Sequence, residues 1–201
     1  MAYTVEEEQE INNLKAWWQD NYKSIIITSV LTFGAVFGWR YWQDYQEKKS
    51  QALSVQYEQL ISIDDTLGEE KFKQFVTDNS KTSYAVLALL ERARLNVDTK
   101  EFVQAEILLT QALSQSSDDL LISISALRLA MVQYQLQKFD SALSSLDKVK
   151  GKSWDSRKLL LKGDILLAKG DNISAKSSFE EALSSASPLE KSFIQMRLNN
   201  L

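Results

Sequence analysis

The chain contains no histidine and no cysteine in its 201 residues, and it carries one proline and six glycines. Without imidazole or thiol there is no thiolate nucleophile, no imidazole acid or base, no disulfide and no zinc site of the usual kinds. The lack of thiols is compatible with reducing and oxidising compartments alike. The shortage of proline and glycine starves an architecture of strands and turns, while the abundance of Leu, Ala, Ser, Glu, Lys and Gln favours helix. Hydrophobic residues make up 44% of the chain, enough to bury a core, so the expected fold class is all-α. Carboxylate pairs such as Asp118-Asp119 and Glu180-Glu181 suit solvated helix ends or faces, and no phosphate loop or nucleophile motif accompanies them. We therefore expect no enzyme activity, no cofactor and no bound metal.

Charge of one sign is concentrated at the start. Residues 1–21 hold Glu6, Glu7, Glu8, Glu10 and Asp20 against Lys15 alone, whereas residues 43–201 are close to neutral with their charges scattered. No basic stripe exists for a nucleic acid to follow, so nucleic acid is excluded as a partner.

Between Ser24 and Trp39 there is no charged residue, and Ile25, Ile26, Ile27, Val30, Leu31, Phe33, Val36 and Phe37 dominate. Those residues alone are short for a membrane span, but the flanks complete it. Trp17, Trp18 and Tyr22 lie on one side and Trp39, Tyr41, Trp42 and Tyr45 on the other, as an interfacial aromatic belt requires. A helix from Tyr22 to Trp42 reaches about 31 Å at ~1.5 Å per residue, matching a hydrocarbon core of roughly 30 Å. Lys23 and Arg40 can snorkel to the headgroups of the membrane lipid. The expected order is an acidic tail at 1–21, one transmembrane helix at 22–42 and a soluble domain at 43–201. A cleaved signal peptide fits poorly, because an acidic tail precedes the run and Gly38-Trp39-Arg40-Tyr41-Trp42 follows it. Orientation stays open: Lys15 and Lys23 precede the span, and Arg40, Lys48 and Lys49 follow it. Gly34 and Gly38 form a G-x-x-x-G pair, a candidate face for packing against another membrane helix.

A repeat emerges after residue 80. An alanine is followed by a large apolar residue four positions on and a small one seven positions on at Ala105, Leu109, Ala112; at Ala142, Leu146, Val149; and at Ala175, Phe179, Ala182. The alanines are 37 and 33 residues apart, bracketing the period of about 34 of a tetratricopeptide repeat. Gly163 and Gly170 suit a close helix crossing and the turn after it; Ala93 and Ala130 stand where glycine would be in the earlier units. Ser187-Pro188-Leu189-Glu190 reads as a capping box opening a terminal helix. The spacing predicts helix pairs at about 47–78, 83–114, 120–149 and 156–185 and a capping helix at 188–201, a solenoid of tetratricopeptide type.

The inner face of such an array is lined by the first helix of each pair and usually binds peptide or protein. Helical phasing puts Leu87, Leu90, Arg94, Leu127, Met131, Tyr134, Arg157, Leu160 and Asp164 near it. Mainly Leu, Met and Tyr, they disfavour a clamp for a chain-terminal carboxylate and suit unfolded or extended polypeptide. The competing expectation is that they fill the core between repeats.

The acidic tail, Trp17-Trp18, the span ending Gly38-Trp39-Arg40-Tyr41-Trp42, then Tyr84-Ala85 with Leu87-Ala88-Leu89, Leu127-Arg128-Leu129-Ala130 and a terminal Arg197-Leu198-Asn199-Asn200-Leu201 together resemble the YfgM family of Gram-negative bacteria. That resemblance implies a type II inner-membrane protein with its N-terminus in the cytoplasm and its repeat domain in the periplasm. It further implies an ancillary subunit of the SecYEG translocon that works with the chaperone PpiD on translocating or unfolded polypeptides. Two other readings stay open: a scaffold for a different envelope assembly, and a regulatory contact through the tail, where Ile11, Leu14 and Trp18 share one helical face.

Overall fold

The computed structural model describes residues 5–61 and 65–201. The expected tail and first helix pair include residues 1–4 and 62–64, which lie outside the described residues. Among the described residues the chain is helical with no strand: α1 (Val5–Ile61), α2 (Asp65–Asp78), α3 (Ser83–Asp98), α4 (Phe102–Gln115), α5 (Asp119–Gln135), α6 (Phe139–Leu146), α7 (Asp155–Ala168), α8 (Asn172–Ser185) and α9 (Pro188–Asn199), with a 3-10 turn at Lys152–Trp154. The chain divides into two compact units, one ending at Val55 and the other running from Gln56 to Leu201.

The first unit is the body of α1. Glu6, Glu7 and Glu8 occupy its first turn, where negative charge complements the exposed amides of a helix start. No proline or glycine falls between Trp39 and Ile61, so nothing local interrupts the helix.

The second unit is built from pairs: α3 packs on α4, α5 on α6, α7 on α8, and α9 closes the stack against α8. The turn inside each pair is the same turn three times. The residue in the left-handed region is Lys100 (φ 64°), Gln137 (φ 59°) and Gly170 (φ 86°). Around each, two amides reach back across the helix end: Lys100 N to the Val97 carbonyl and Glu101 N to Asn96; Gln137 N to Tyr134 and Lys138 N to Gln133; Gly170 N to Leu167 and Asp171 N to Leu166. These bonds satisfy carbonyls a helix end leaves orphaned. The second helices then start at Phe102, Phe139 and Asn172, three residues before each repeat alanine.

Ala105, Ala142 and Ala175 are fully buried, as are Leu109, Leu146 and Phe179 four residues later. Small residues let paired helices approach and the large ones fill the crossing. At α7 and α8 the approach is close enough that a methyl on Gly163 would overlap three carbons of the Phe179 ring. The capping box forms: the Glu190 amide donates to Ser187 Oγ at 3.4 Å, and Glu190 Oε2 accepts from the Ser187 amide at 2.9 Å. α9 stacks on α7 through Arg157–Glu190 (3.3 Å) and Arg197–Asp164 (2.9 Å). Each pair joins residues 33 apart, so α9 occupies the place of the first helix of a further unit.

Candidate functional site

Two features of the chain offer surface that its own packing leaves unused, one in each unit. In the first, α1 contains an 18-residue window of mean hydropathy 1.3, with none of it buried inside the protein. Ile26, Ile27, Val30, Leu31, Phe33, Val36 and Phe37 are all more than half exposed. At about 1.5–3 kcal/mol for each large apolar side chain left in water, such a helix requires an apolar surrounding, and its length and composition suit a bilayer. The Thr32 hydroxyl donates to the Thr28 carbonyl at 2.8 Å, hiding a polar group that hydrocarbon would leave unsatisfied. Trp39 and Trp42 make a tilted ring contact with centroids 5.3 Å apart at one end of the run, and Lys23 reaches over the Tyr22 ring at the other. A methyl at Gly34 or Gly38 would meet no atom within 4 Å, so that face is open to an approaching helix.

In the second unit, α3, α5 and α7 line a groove of about 760 Å³. Repeat register explains which residues reach it. Position for position, Arg94, Met131, Asp164 and Arg197 form one row across successive first helices, separated by 37, 33 and 33 residues. The groove draws Arg94, Met131 and Asp164 from that row, with Tyr134 one turn further along α5. Met131 is 55% exposed; Tyr134 is half-buried, its ring 6.2 Å from that of Phe139.

The remaining residues phased to this face lie elsewhere. Leu90 and Leu127, at equivalent positions, are 4% and 9% exposed, and Leu127 belongs to the core cluster around Ala130, Leu146 and Ile165. Leu87 is half-buried on α3, and Leu160 packs against the cluster of Phe179 and Ile194. Arg157 is turned to α9 and Glu190. Groove residues beyond those phased from sequence include Arg128 and Gln135, three before and four after Met131, and Leu161, three before Asp164. Their signal was the same helical face extended by one turn. Lys100 comes from the turn between α3 and α4, and Phe102 from the start of α4.

Two of the charges in the groove, Arg94 and Asp164, are paired with neighbouring side chains. Arg94 donates to Glu91 through Nε and an amino nitrogen, the latter at 2.7 Å, and to Asp98 at 2.7 Å. The hydrogen bond from Arg94 holds the Glu91 carboxyl below its ordinary range, helped by the positive charge of Arg94 and Arg128. Arg128 also donates to the Leu90 carbonyl at 3.5 Å. Burial pushes the Asp164 carboxyl above its ordinary value, with Arg197 opposing the shift. Among the described residues no group of carboxylates is arranged to hold a metal ion.

The chain matches the family model of the tetratricopeptide repeat-like domain over residues 15–201. It is 53% identical to a protein of Aggregatibacter actinomycetemcomitans and 50% identical to one of Haemophilus influenzae, with both chains covered completely in each case. A third relative, from Escherichia coli, is 34% identical over 97% of this chain and 96% of its own. All three carry the name ancillary SecYEG translocon subunit. With an exposed apolar helix ahead of paired-helix repeats, and this similarity running from end to end, the chain belongs to the tetratricopeptide repeat-like family of the ancillary SecYEG translocon subunits.

Proposed function

We propose that the protein is an ancillary subunit of the SecYEG translocon in the inner membrane, a tethered binding module without enzymatic activity. Its tail lies in the cytoplasm, residues 22–42 of α1 cross the lipid, and the repeat domain stands in the periplasm. There it works with PpiD on polypeptides as they emerge, using the helix-lined groove for clients and the Gly34 and Gly38 face for a neighbouring membrane helix. The observation that carries this reading is an apolar helix with none of its apolar window buried inside the protein, on a chain that is half identical, end to end, to proteins named as translocon subunits. Tethering beside the exit site raises the effective concentration of client and permits weak individual contacts.

The test is photo-crosslinking in native membranes from Gly34 and Gly38 on one side and Tyr134 on the other, together with protease treatment of spheroplasts. Translocon subunits are expected from the glycine positions, PpiD and nascent chains from Tyr134, and digestion of the repeat domain from outside. Recovery of neither translocon subunits nor PpiD would overturn the assignment, and a domain protected in spheroplasts would reverse the topology.

A further inference from the structure

The last helix of the stack carries the face of an interior helix. Arg157–Glu190 and Asp164–Arg197 set α9 33 residues on from α7. The row Ala93, Ala130 and Gly163, each buried in its unit, therefore continues at Met196. Met196 is 48% exposed, and Phe193 and Leu189 before it on the same side of α9 are 52% and 71% exposed. The terminal helix of a repeat stack ordinarily turns a polar face outward, but α9 turns out leucine, phenylalanine and methionine. Beside that stripe Leu183 of α8 joins Lys191, Ser192, Met196 and Asn199 in lining a groove of about 670 Å³. In the units before it, the second helix brings Leu109 to Ala93, Leu146 to Ala130 and Phe179 to Gly163. A larger residue on the first helix goes with a smaller one on the second, so Met196 calls for alanine or serine opposite.

Lys191 is the charged side chain of this groove, and among the described residues it has no ion pair. A carboxylate on the occupant would find it free. A second α9 would bring none, because Glu190, the one carboxylate of that helix, is held in the capping box and by Arg157. We propose that this face docks one amphipathic helix of a different protein, laid on α9 as α4, α6 and α8 lie on α3, α5 and α7. The docked helix sets alanine or serine against Met196 and a carboxylate toward Lys191. This face is separate from the groove between α3, α5 and α7, and its occupant is a formed helix, not an extended chain.

The probe is a stapled, fluorescein-labelled peptide with the sequence of α8, Asn172–Ser185, which carries Glu180 and Glu181. It is titrated against the full chain in lipid nanodiscs by fluorescence anisotropy. With Phe179→Ala the peptide should bind, and with phenylalanine kept it should bind at least about tenfold more weakly, because the ring and Met196 compete for one crossing. Met196→Gly in the protein should reverse that order. Should Met196→Gly lose helicity by circular dichroism, Met196→Ala supplies the same measurement. Phe193→Asp should weaken the alanine peptide by at least about tenfold, and Lys191→Glu, at an exposed position, by about threefold. Binding of neither peptide, or a preference that ignores the residue at position 196, would overturn the proposal. Two other occupants would overturn it as well. A second copy would appear in sedimentation equilibrium as a dimer that Phe193→Asp dissolves. Lipid would appear as quenching, by brominated acyl chains, of a bimane attached through Asn199→Cys, a unique thiol in a chain without cysteine.

Discussion

At the crossing of α7 and α8 the ring of Phe179 occupies the space over Gly163, whereas the two preceding pairs carry Ala93 with Leu109 and Ala130 with Leu146 at the same positions. The separation is sixteen residues in every case. Where the first helix gives up its methyl, the second takes on an aromatic ring, and the combined volume of the crossing is roughly kept. A repeat interior therefore constrains a pair of positions together: each residue type varies from unit to unit, and their sum does not.

The direct way to break that equivalence is Gly163→Ala. The added methyl overlaps the Phe179 ring, and overpacking of this kind costs about 1–3 kcal/mol, partly offset by the better helix propensity of alanine. Phe179→Leu alone should cost a similar amount through the cavity it leaves. Combined, the two changes rebuild the alanine and leucine pair of the earlier units, so the double variant should be less destabilised than the sum by at least about 1 kcal/mol. Urea unfolding in detergent, followed by circular dichroism, measures the cycle. Strict additivity would mean that the crossing is looser than the geometry states.

A second contrast separates the same units at the turn. Gly170 adopts its left-handed conformation without steric cost, but Lys100 and Gln137 hold it with a side chain attached. Lys100→Gly and Gln137→Gly should each stabilise the fold by about 0.5–1 kcal/mol, and Gly170→Ala should destabilise it by about 1 kcal/mol. If the three changes moved stability in one direction, the turns would not be equivalent.

These contrasts also explain what could be read from sequence. The helical class, the close crossing at Gly163, the turn at Gly170 and the capping box at Ser187 each have a residue whose chemistry announces its role. The turns at Lys100 and Gln137 do not, because lysine and glutamine carry no turn signal and the hydrogen bonds that impose the conformation are backbone bonds. The groove is harder for another reason. Leu127 and Met131 lie one helical turn apart on α5, yet the first is in the core cluster and the second is 55% exposed. Periodicity identifies an apolar face but cannot tell where the neighbouring helices stop covering it. Charges on that face are equally ambiguous: Arg94 reads as a ligand-binding group until its bonds to Glu91 and Asp98 are seen.

The smallest expected effect lies where α9 meets α7, and it separates two carboxylates of opposite behaviour. Hydrogen bonds from Ser187 hold Glu190 below its ordinary value, with a further contribution from Arg157. Its stabilisation is present above the unfolded value near 4.5 and is lost as pH falls through the lower folded value. Asp164 runs the other way. Burial raises its folded value above 3.8 despite Arg197, so its charge is a liability at neutral pH. That liability is relieved as pH falls through the raised folded value. Asp164→Asn should therefore raise neutral-pH stability slightly, by under about 0.5 kcal/mol given solvent screening, with the gain fading in acid. Arg197→Met should lower stability at neutral pH, because it leaves the half-buried Asp164 carboxylate uncompensated. Unfolding midpoints of the two variants across the carboxylate range decide the matter. A loss of stability in Asp164→Asn at neutral pH would mean that the ion pair outweighs the burial, and that α9 is held at this position by attraction rather than merely tolerated there.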